Sequence, residues 1–238
     1  MWGVVALSER RATFVSSVTH ELRTPLTTFR MYADMLARGM VTEPGRRQEY
    51  LETLRRESER LTHLVENVLS YARLERGRGP QLCEAVTVGN LVERLQPHLA
   101  ERAVQENMEL SVDMADDALP QKLTTDVGVV EQIFSNLVDN AAKYAAEATD
   151  RRIHLEAKRV PDGVQFTVRD HGPGFDKSRQ ARVTRPFSKS AEEASVTAPG
   201  VGLGLALCRR LAKQLGGRLE IATHSDGATL QLVLPTNS

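Results

Sequence analysis

The sequence is poor in cysteine, has no long apolar run, and carries no net charge. Its two cysteines, Cys83 and Cys208, lie far apart and form neither a metal-ligand spacing nor a close pair. No apolar run approaches the roughly 18 residues that cross a bilayer. The 31 basic and 31 acidic residues cancel, so no overall field attracts nucleic acid or an anionic membrane. These absences predict a protein of a reducing compartment that recognises its partners locally.

The first third of the chain has the pattern of two paired helices. Apolar residues recur at alternating steps of four and three from Val18 to Leu36, and again from Leu51 to Ala72. The stretch "RGMVTEPGR" between them breaks the helix. Further apolar residues such as Leu26 lie off these seams, so one pair of helices would leave apolar surface in water. We therefore expect a helical hairpin of residues 1–76 that forms a homodimeric four-helix bundle.

A histidine lies on the polar side of the first helix, in the stretch "VTHELRTPL". His20 points about 180° away from the seam, and Thr24 lies about 40° from His20 around the helix axis. Pro25 removes a backbone donor and can bend the helix just after the histidine. A single exposed histidine is usually only a solvated side chain, so the rest of the sequence must decide its role.

The pattern changes after a short linker, residues 77–85. Residues 88–104 predict a helix and 108–114 a strand, and "TTDVGVVEQIFSNLVDNAAKYAAEA" predicts a long helix with Asp126 near its cap. Two strand hairpins and a glycine-capped helix follow. The overall class is α+β, with residues 86–238 forming an α/β sandwich in which helices cover one face of a sheet.

The long helix carries polar residues suited to a nucleotide. Asn136 and Asn140 are four residues apart and share one face, with Lys143 and Tyr144 following on the same side. Amide oxygens suit a hydrated Mg²⁺ that bridges phosphates. Lys143 could meet a phosphate, and Tyr144 could flank a base.

Two glycine-rich stretches add to this pattern. In "RDHGPGF", Asp170 can accept a hydrogen bond from an exocyclic amine, and Gly172 and Gly174 let the backbone approach a ring. In "APGVGLGLAL", Gly200, Gly202 and Gly204 precede a helix, so backbone N–H groups can converge on an anion. The polar stretch between these motifs contains Phe187 and Lys189 and is long enough to form a lid.

The order of these motifs resembles that of the sensor histidine kinases of two-component signalling. The matching stretches are "VTHELRTPL" for the H-box, "NLVDNAAKYA" for the N-box, "DHGPGF" for the G1 box, "RPFSK" for the F-box, "GVGLGLAL" for the G2 box and "DGATLQL" for the last glycine box. The resemblance covers nearly all of the chain. It implies a dimerisation and phosphotransfer hairpin followed by an ATP-binding domain of the Bergerat type.

The resemblance also implies roles for individual residues. His20 would be phosphorylated, with Glu21 as its acid/base partner and Thr24 orienting a water for a phosphatase reaction. Lys189 stands where an arginine is common, and Thr229 where the family has a small polar residue near adenine. The implied binding site for ATP and Mg²⁺ comprises Asn136, Asn140, Lys143, Tyr144, Asp170, Gly172, Gly174, Phe187, Lys189, Gly200, Gly202, Gly204, Leu205 and Thr229, with Asn136 and Asn140 serving the metal.

The implied function is autophosphorylation of His20 and relay of the phosphoryl group to an aspartate of a response regulator receiver domain. We expect the chain to be the cytoplasmic part of a bacterial inner-membrane sensor, attached to the membrane only through segments outside it. Two alternatives stay open. One is an ATPase with the same pocket type, as in type II topoisomerases and heat-shock chaperones, and the other is a degenerate kinase that acts as a dimeric scaffold.

Overall fold

The structure is a computed structural model. It describes residues 2–75, 82–175, 204–223 and 227–236. The chain divides into two compact units. The first contains the two long N-terminal helices and is called the helical hairpin. The second is called the sandwich domain, and its described residues contain the strands and three shorter helices.

The helical hairpin consists of α1 (Trp2–Ala37) and α2 (Pro44–Glu75). The break falls in the predicted glycine- and proline-containing stretch, and α1 continues as one helix through Pro25. Next to the break, the rings of Tyr32 and Tyr50 pack edge to face with centroids 4.4 Å apart. The predicted hairpin is confirmed. Among the helices of the described residues, none has the length and apolar character that crossing a membrane requires.

The sandwich domain contains two sheets. Its elements are β1 (Cys83–Thr87), α3 (Val88–Gln105), β2 (Glu109–Met114), β3 (Lys122–Asp126), α4 (Val127–Tyr144), β4 (Arg152–Val160), β5 (Gly163–Arg169), α5 (Gly204–Gln214), β6 (Arg218–Thr223) and β7 (Ala228–Leu234). The larger sheet has the order β2-β4-β5-β7-β6, in which only the β2–β4 pair is parallel. A separate ribbon pairs β1 with β3. The predicted α/β sandwich is confirmed.

Local signals set where the helices of the sandwich domain begin. Thr87 caps α3 by accepting a hydrogen bond from the Asn90 N–H at 3.3 Å. The Asp126 carboxylate caps α4 by accepting from the Val129 N–H at 3.2 Å. Such caps satisfy backbone donors that the first helical turn leaves unpaired.

One face of the larger sheet packs against the helices and forms the core. Alternate residues of β4 and β5 are buried, as a half-covered sheet requires. Phe134 of α4 meets Phe166 of β5 edge to face, with ring centroids 5.4 Å apart. The largest fully buried side chains are Phe134, Phe166, Leu91, Leu99, Leu123, Ile133, Leu137, Ile153, Leu155, Leu207, Leu232 and Leu234.

The structure differs from the sequence prediction in two places. The ribbon of β1 and β3 was not predicted, and β1 begins at Cys83, inside the segment predicted as linker. The cap predicted near Asp126 for the long helix is confirmed, and Thr124 at the start of the quoted stretch lies in β3. The helix ends earlier than predicted, at Tyr144 with Ala145 as the C-cap, rather than running through the alanine-rich stretch to residue 148.

Candidate nucleotide-binding site

Helix α4 supplies one wall of the candidate site. Asn136 is only 3% exposed, and its Nδ2 donates to the Gln132 carbonyl one turn earlier at 2.9 Å. Asn140 is half-buried. At the end of the helix, the Lys143 Nζ lies 5.6 Å from the centroid of the Tyr144 ring, which is 36% exposed. The predicted order of amide, amide, cation and aromatic ring along one helix is present.

The start of α5 lies against these asparagines. A Cβ placed on Gly204 would come within 3.3 Å of Asn136 Oδ1 and 3.5 Å of Asn140 Nδ2. Leu205, which follows Gly204, is buried. The absence of a side chain at Gly204 therefore lets the helix N-terminus approach the two amides. Unpaired N–H groups at such a terminus favour an anion.

Asp170 supplies a buried carboxylate at the end of β5. Its side chain is 5% exposed, and Oδ1 accepts hydrogen bonds from the Gly172 N–H at 2.8 Å and the Ala228 N–H at 3.1 Å. Burial raises the pKa of Asp170, and the two N–H bonds counteract that rise. Within the described part of the chain, both of these bonds go to Oδ1, which leaves Oδ2 to accept from an amine.

Glycines bring the backbone close around this carboxylate. A Cβ on Gly172 would lie 2.8 Å from the Tyr144 carbonyl oxygen, so this turn rests directly on the end of α4. Gly174 has a positive φ of 73°. Gly227 has a φ of +117°, and a Cβ there would lie 1.9 Å from the Asp170 carbonyl oxygen. Gly227 is not among the predicted site residues, although the Asp-Gly pair before the last strand is the signal for it.

The structure corrects the assignment of Thr229. Thr229 pairs with Arg169 across β5 and β7, and it lines a cavity of about 440 Å³ on the sheet face opposite the one that packs against α4. Successive side chains of a strand point to opposite faces. Ala228 therefore faces the helix side and donates its N–H to Asp170, while Thr229 faces away from that carboxylate.

Some predicted site residues lie outside the described residues. They are Phe187, Lys189, Gly200 and Gly202, and the side chains of His20 and Glu21 are also outside the description. The backbone of His20, Glu21 and Thr24 is part of helix α1. The Thr24 side chain is exposed, and its carbonyl accepts from the Thr28 hydroxyl at 3.3 Å.

The described residues fit an adenine nucleotide. The buried Asp170 carboxylate and its glycine turn rest on the end of α4, and Gly204 lies against Asn136 and Asn140 on the same helix, so a Cβ at Gly172 or Gly204 would crowd these contacts. The same residues fit Mg²⁺ only through amide oxygens, because no group of three or more His, Cys, Asp or Glu residues in the described chain could hold a metal ion. A cation here would therefore depend on the phosphates of the nucleotide.

Two family profiles match the chain. The profile described as His Kinase A (phospho-acceptor) domain matches residues 10–77, which include α2 and most of α1. The profile described as Histidine kinase-, DNA gyrase B-, and HSP90-like ATPase matches residues 125–238. Together they extend over both units in the order that the sequence motifs predicted.

Known proteins agree with these profiles. The C4-dicarboxylate transport sensor protein DctB of Pseudomonas aeruginosa is 35% identical over 222 residues, which are 92% of this chain and 34% of DctB. The histidine kinase AdeS of Acinetobacter baumannii has the same fold, with a TM-score of 0.66, 21% identity and coverage of 92% of this chain and 98% of the AdeS chain. ShkA, solved in complex with AMPPNP, has a TM-score of 0.62 and 24% identity, covering 96% of this chain and 46% of ShkA.

The chain spans about a quarter to a half of the length of the curated relatives that it matches. Those relatives include several sensor proteins, and the match extends across both the phospho-acceptor hairpin and the ATPase domain. The buried Asp170 carboxylate and the paired asparagines lie inside the ATPase match. The chain therefore belongs to the sensor histidine kinases and contains the catalytic core of a protein-histidine kinase.

Proposed function

We propose that this core transfers the γ-phosphoryl group of ATP to His20 and passes it to an aspartate of a response regulator. The observation that carries the proposal is that two elements lie against α4: Gly204 lies against Asn136 and Asn140, and the Asp170 turn rests through Gly172 on Tyr144 at the end of the helix. These residues belong to a chain that also matches a phospho-acceptor domain. ATP binding is supported further by the AMPPNP complex of the structurally similar ShkA.

Each wall of the pocket has a proposed role. The Asp170 carboxylate accepts from the adenine amino group, and Tyr144 flanks the base. Lys143 and the N-terminus of α5 attract the phosphates. Mg²⁺, held by Asn140 and Asn136, would neutralise phosphate charge during transfer. The stretch that carries Phe187 and Lys189 is proposed to close over the nucleotide. Gly200 and Gly202 are proposed to bring backbone N–H groups to the phosphates, and Leu205 to anchor the start of α5.

The transfer itself needs a nucleophile and a proton acceptor on α1. The unprotonated ring nitrogen of His20 attacks the γ-phosphorus, a nitrogen–phosphorus bond forms, and the bond to the ADP oxygen breaks. The phosphorylated ring then carries a proton on its other nitrogen, and Glu21 accepts it. A neutral imidazole at an exposed helical position is a competent nucleophile at neutral pH.

The residue at position 136 argues against the ATPase alternative. ATPases with this pocket type have a water-activating glutamate four residues before the metal-binding asparagine. Here that position is Asn136, whose amide cannot accept a proton and whose Nδ2 is already bonded to the Gln132 carbonyl. Without a base at this place, ATP should phosphorylate His20 rather than react with water.

Incubation with labelled ATP tests the phosphotransfer. We expect a phosphoramidate that is labile in acid and stable in base, and its complete loss in His20→Gln. His98→Gln is the matched control, because His98 lies exposed on α3, with its Nδ1 3.6 Å from a carboxylate oxygen of Glu131. Acid-stable label, or label that persists in His20→Gln, would contradict the assignment. The absence of any label in the wild-type protein would favour the scaffold alternative.

Nucleotide selectivity tests the role of Asp170. We expect Mg²⁺-ADP and Mg²⁺-ATP to bind while GTP does not, since guanine presents a carbonyl where adenine presents an amine. Asp170→Asn should weaken ADP binding about 10- to 100-fold, as the loss of a hydrogen bond to a charged group implies. Equal calorimetric affinities for ADP and GDP would show that Asp170 does not distinguish adenine from guanine.

The proposed partners are a second copy of the chain and a response regulator receiver domain. Dimerisation and a response regulator partner are general in this family, and we extend both to this chain. We place the core on the cytoplasmic side of a bacterial inner membrane, where ATP and response regulators are found, with any membrane attachment supplied by segments outside these residues.

We also propose that the core removes phosphate from the regulator, with Thr24 orienting the attacking water. The exposed Thr24 hydroxyl lies one turn after His20 on the same helix. Thr24→Ala should leave autophosphorylation nearly intact and slow dephosphorylation about 10- to 1,000-fold, since a positioned group contributes roughly 1.4 to 4 kcal/mol. Thr27→Ala is the control, because the exposed Thr27 hydroxyl donates to the Arg23 carbonyl at 2.8 Å. Equal decay rates for wild type and Thr24→Ala would exclude this role.

A further inference from the structure

Two histidines meet beside the Asp170 turn, and no sequence motif accounts for their contact. His154 lies on β4, in register with Arg169 at the end of β5, and His171 directly follows Asp170. The Nε2 atoms of His154 and His171 are 3.0 Å apart, and the ring centroids are 5.2 Å apart. If the line between the two nitrogens continues through both ring centres, the centroids are separated by the nitrogen–nitrogen distance plus the radius of each ring. The observed centroid distance is close to that sum, so the two nitrogens point at each other. This is the geometry of an N–H···N hydrogen bond.

Charged groups surround this pair on both sides. The Asp150 Oδ2 lies 3.5 Å from the His171 Nε2. Arg152 donates to Asp150 Oδ1 at 2.9 Å and to Oδ2 at 2.6 Å, and these bonds hold the pKa of Asp150 well below its usual range. Asp150 is therefore an anion beside His171. Arg169 adds a positive charge next to His154.

These surroundings determine where the shared proton lies. Burial, and then the positive charges of Arg169, His171 and Arg152, lower the pKa of His154, while Asp150 opposes that shift. A neutral His154 can present an unprotonated Nε2 as acceptor. The anionic Asp150 favours the proton on the His171 Nε2, so His171 donates and His154 accepts. A second proton, on His154, would place N–H groups on both facing nitrogens and break the bond.

The bond between His154 and His171 involves the turn at residues 170–172, which other contacts already hold in place. Oδ1 of Asp170 already accepts from Gly172 and Ala228, and Gly172 rests against the Tyr144 carbonyl. His171 lies between Asp170 and Gly172 in the chain. The bond between the two rings therefore adds one more restraint on the backbone between Asp170, the residue proposed to contact adenine, and Gly172.

We propose that His154 is a positioning residue for nucleotide binding: its neutral imidazole holds His171, and through it the Asp170 turn, so that adenine nucleotides bind more weakly when His154 is protonated. The inference rests on the proposed nucleotide site at Asp170. The bond is intact at neutral pH, because a lowered pKa keeps His154 neutral there. It is lost as the pH falls below the ordinary histidine range.

Two substitutions of His154 test this role in the full chain. His154→Gln keeps a hydrogen-bond acceptor that does not titrate, and His154→Leu removes the acceptor. The control is Lys158→Gln, because Lys158 lies exposed on the same strand and the same face. Mg²⁺-ADP affinity is measured by calorimetry at pH 7.5 and at the acidic pH at which ¹⁵N spectra show His154 protonated. The ionisation of ADP itself is common to all variants, so the ratio of wild-type to His154→Gln affinity is the readout.

The expected ratio changes about 3- to 10-fold between the two pH values, with the wild type losing affinity on acidification, as one hydrogen bond implies. His154→Leu should bind ADP about 3- to 10-fold more weakly at pH 7.5, and Lys158→Gln should follow the wild type. A constant ratio, or a His154→Leu affinity equal to wild type at pH 7.5, would overturn the positioning role while leaving the nucleotide site intact.

Imidazole ¹⁵N spectra of the nucleotide-free protein give a second readout. We expect His154 to titrate below the ordinary histidine range, because its pKa is lowered by burial, and its Nε2 to carry the signature of an acceptor. An Nε2 proton on His154 at neutral pH would overturn the proposal. Failure of the wild type to bind ADP at any pH would instead contradict the nucleotide site itself, and the spectra would then still report whether the two rings are bonded.

Discussion

The helical hairpin leaves many of its large apolar side chains exposed to solvent, whereas the sandwich domain buries most of its own. In the hairpin, Leu26, Leu51 and Leu69 are 57%, 47% and 50% exposed. In the sandwich domain, large side chains such as Phe134 and Leu207 are almost fully buried. A sheet covered by helices completes a core within one chain, whereas two helices leave part of each apolar stripe uncovered. The proposed second copy of the chain would therefore cover the hairpin rather than the sandwich domain.

The two units also differ in their ion pairs. The hairpin pairs join residues one turn apart on exposed helix surfaces, as with Arg55 and Glu59 at 2.8 Å. The sandwich domain contains a bidentate pair between α3 and α4, in which the Arg102 Nε donates to Asp139 at 2.8 Å. Both members of that pair are about one-third exposed. The Arg55–Glu59 pair therefore stabilises a single helix, whereas the Arg102–Asp139 pair connects α3 to α4.

The largest expected effect tests the tight backbone packing of the sandwich domain. Gly227→Ala should weaken ADP binding by at least about 100-fold, because Gly227 has a φ of +117° and an added Cβ would lie 1.9 Å from the Asp170 carbonyl oxygen. Gly45→Ala in α2 is the hairpin control, since a Cβ there meets nothing within 4 Å. It should stabilise the protein slightly. Calorimetry with ADP and thermal unfolding check both, and normal ADP affinity in Gly227→Ala would show that the turn can relax.

A substitution with an intermediate expected effect tests whether the exposed leucines of the hairpin form the dimer contact. Leu69→Ser should raise the dimer dissociation constant about 10- to 100-fold, because each chain of a two-fold dimer would lose the burial of a half-exposed leucine. Leu82→Ser is the control, as Leu82 is 80% exposed at the start of the sandwich domain. Sedimentation equilibrium measures the change. Equal dissociation constants for the two variants would place the dimer contact elsewhere.

The smallest effect separates the two kinds of ion pair. Arg102→Met should lower the free energy of unfolding by about 1 to 2 kcal/mol, since it breaks a bidentate pair between two helices. Arg55→Met should cost less than about 0.5 kcal/mol, as is usual for exposed pairs one turn apart. Denaturant titration at low and high salt measures both. Similar losses would mean that the connection of α3 to α4 adds nothing beyond an ordinary surface pair.

Long helices and glycine-rich motifs could be predicted from the sequence because each has a strong local pattern. The β1–β3 ribbon could not, since Val86 is the one fully buried residue of β1 and no alternation is visible. Thr229 was placed wrongly because a shift of one residue along a strand reverses the face. The contact of His154 with His171 joins two strands of the sheet, so only the pairing of β4 with β5 could reveal it.

The strand order of the larger sheet sets an order of folding events. The β4–β5 and β6–β7 pairs are antiparallel hairpins between neighbours in sequence, whereas β2–β4 and β5–β7 join strands that are far apart in the chain. Closing long loops costs chain entropy before any contact forms, which slows folding. We expect the two hairpins to form early and the central β5–β7 pairing to limit the rate. The Asp170 site, which takes its carboxylate from the end of β5 and an N–H from the start of β7, would then be assembled only in the last step of folding.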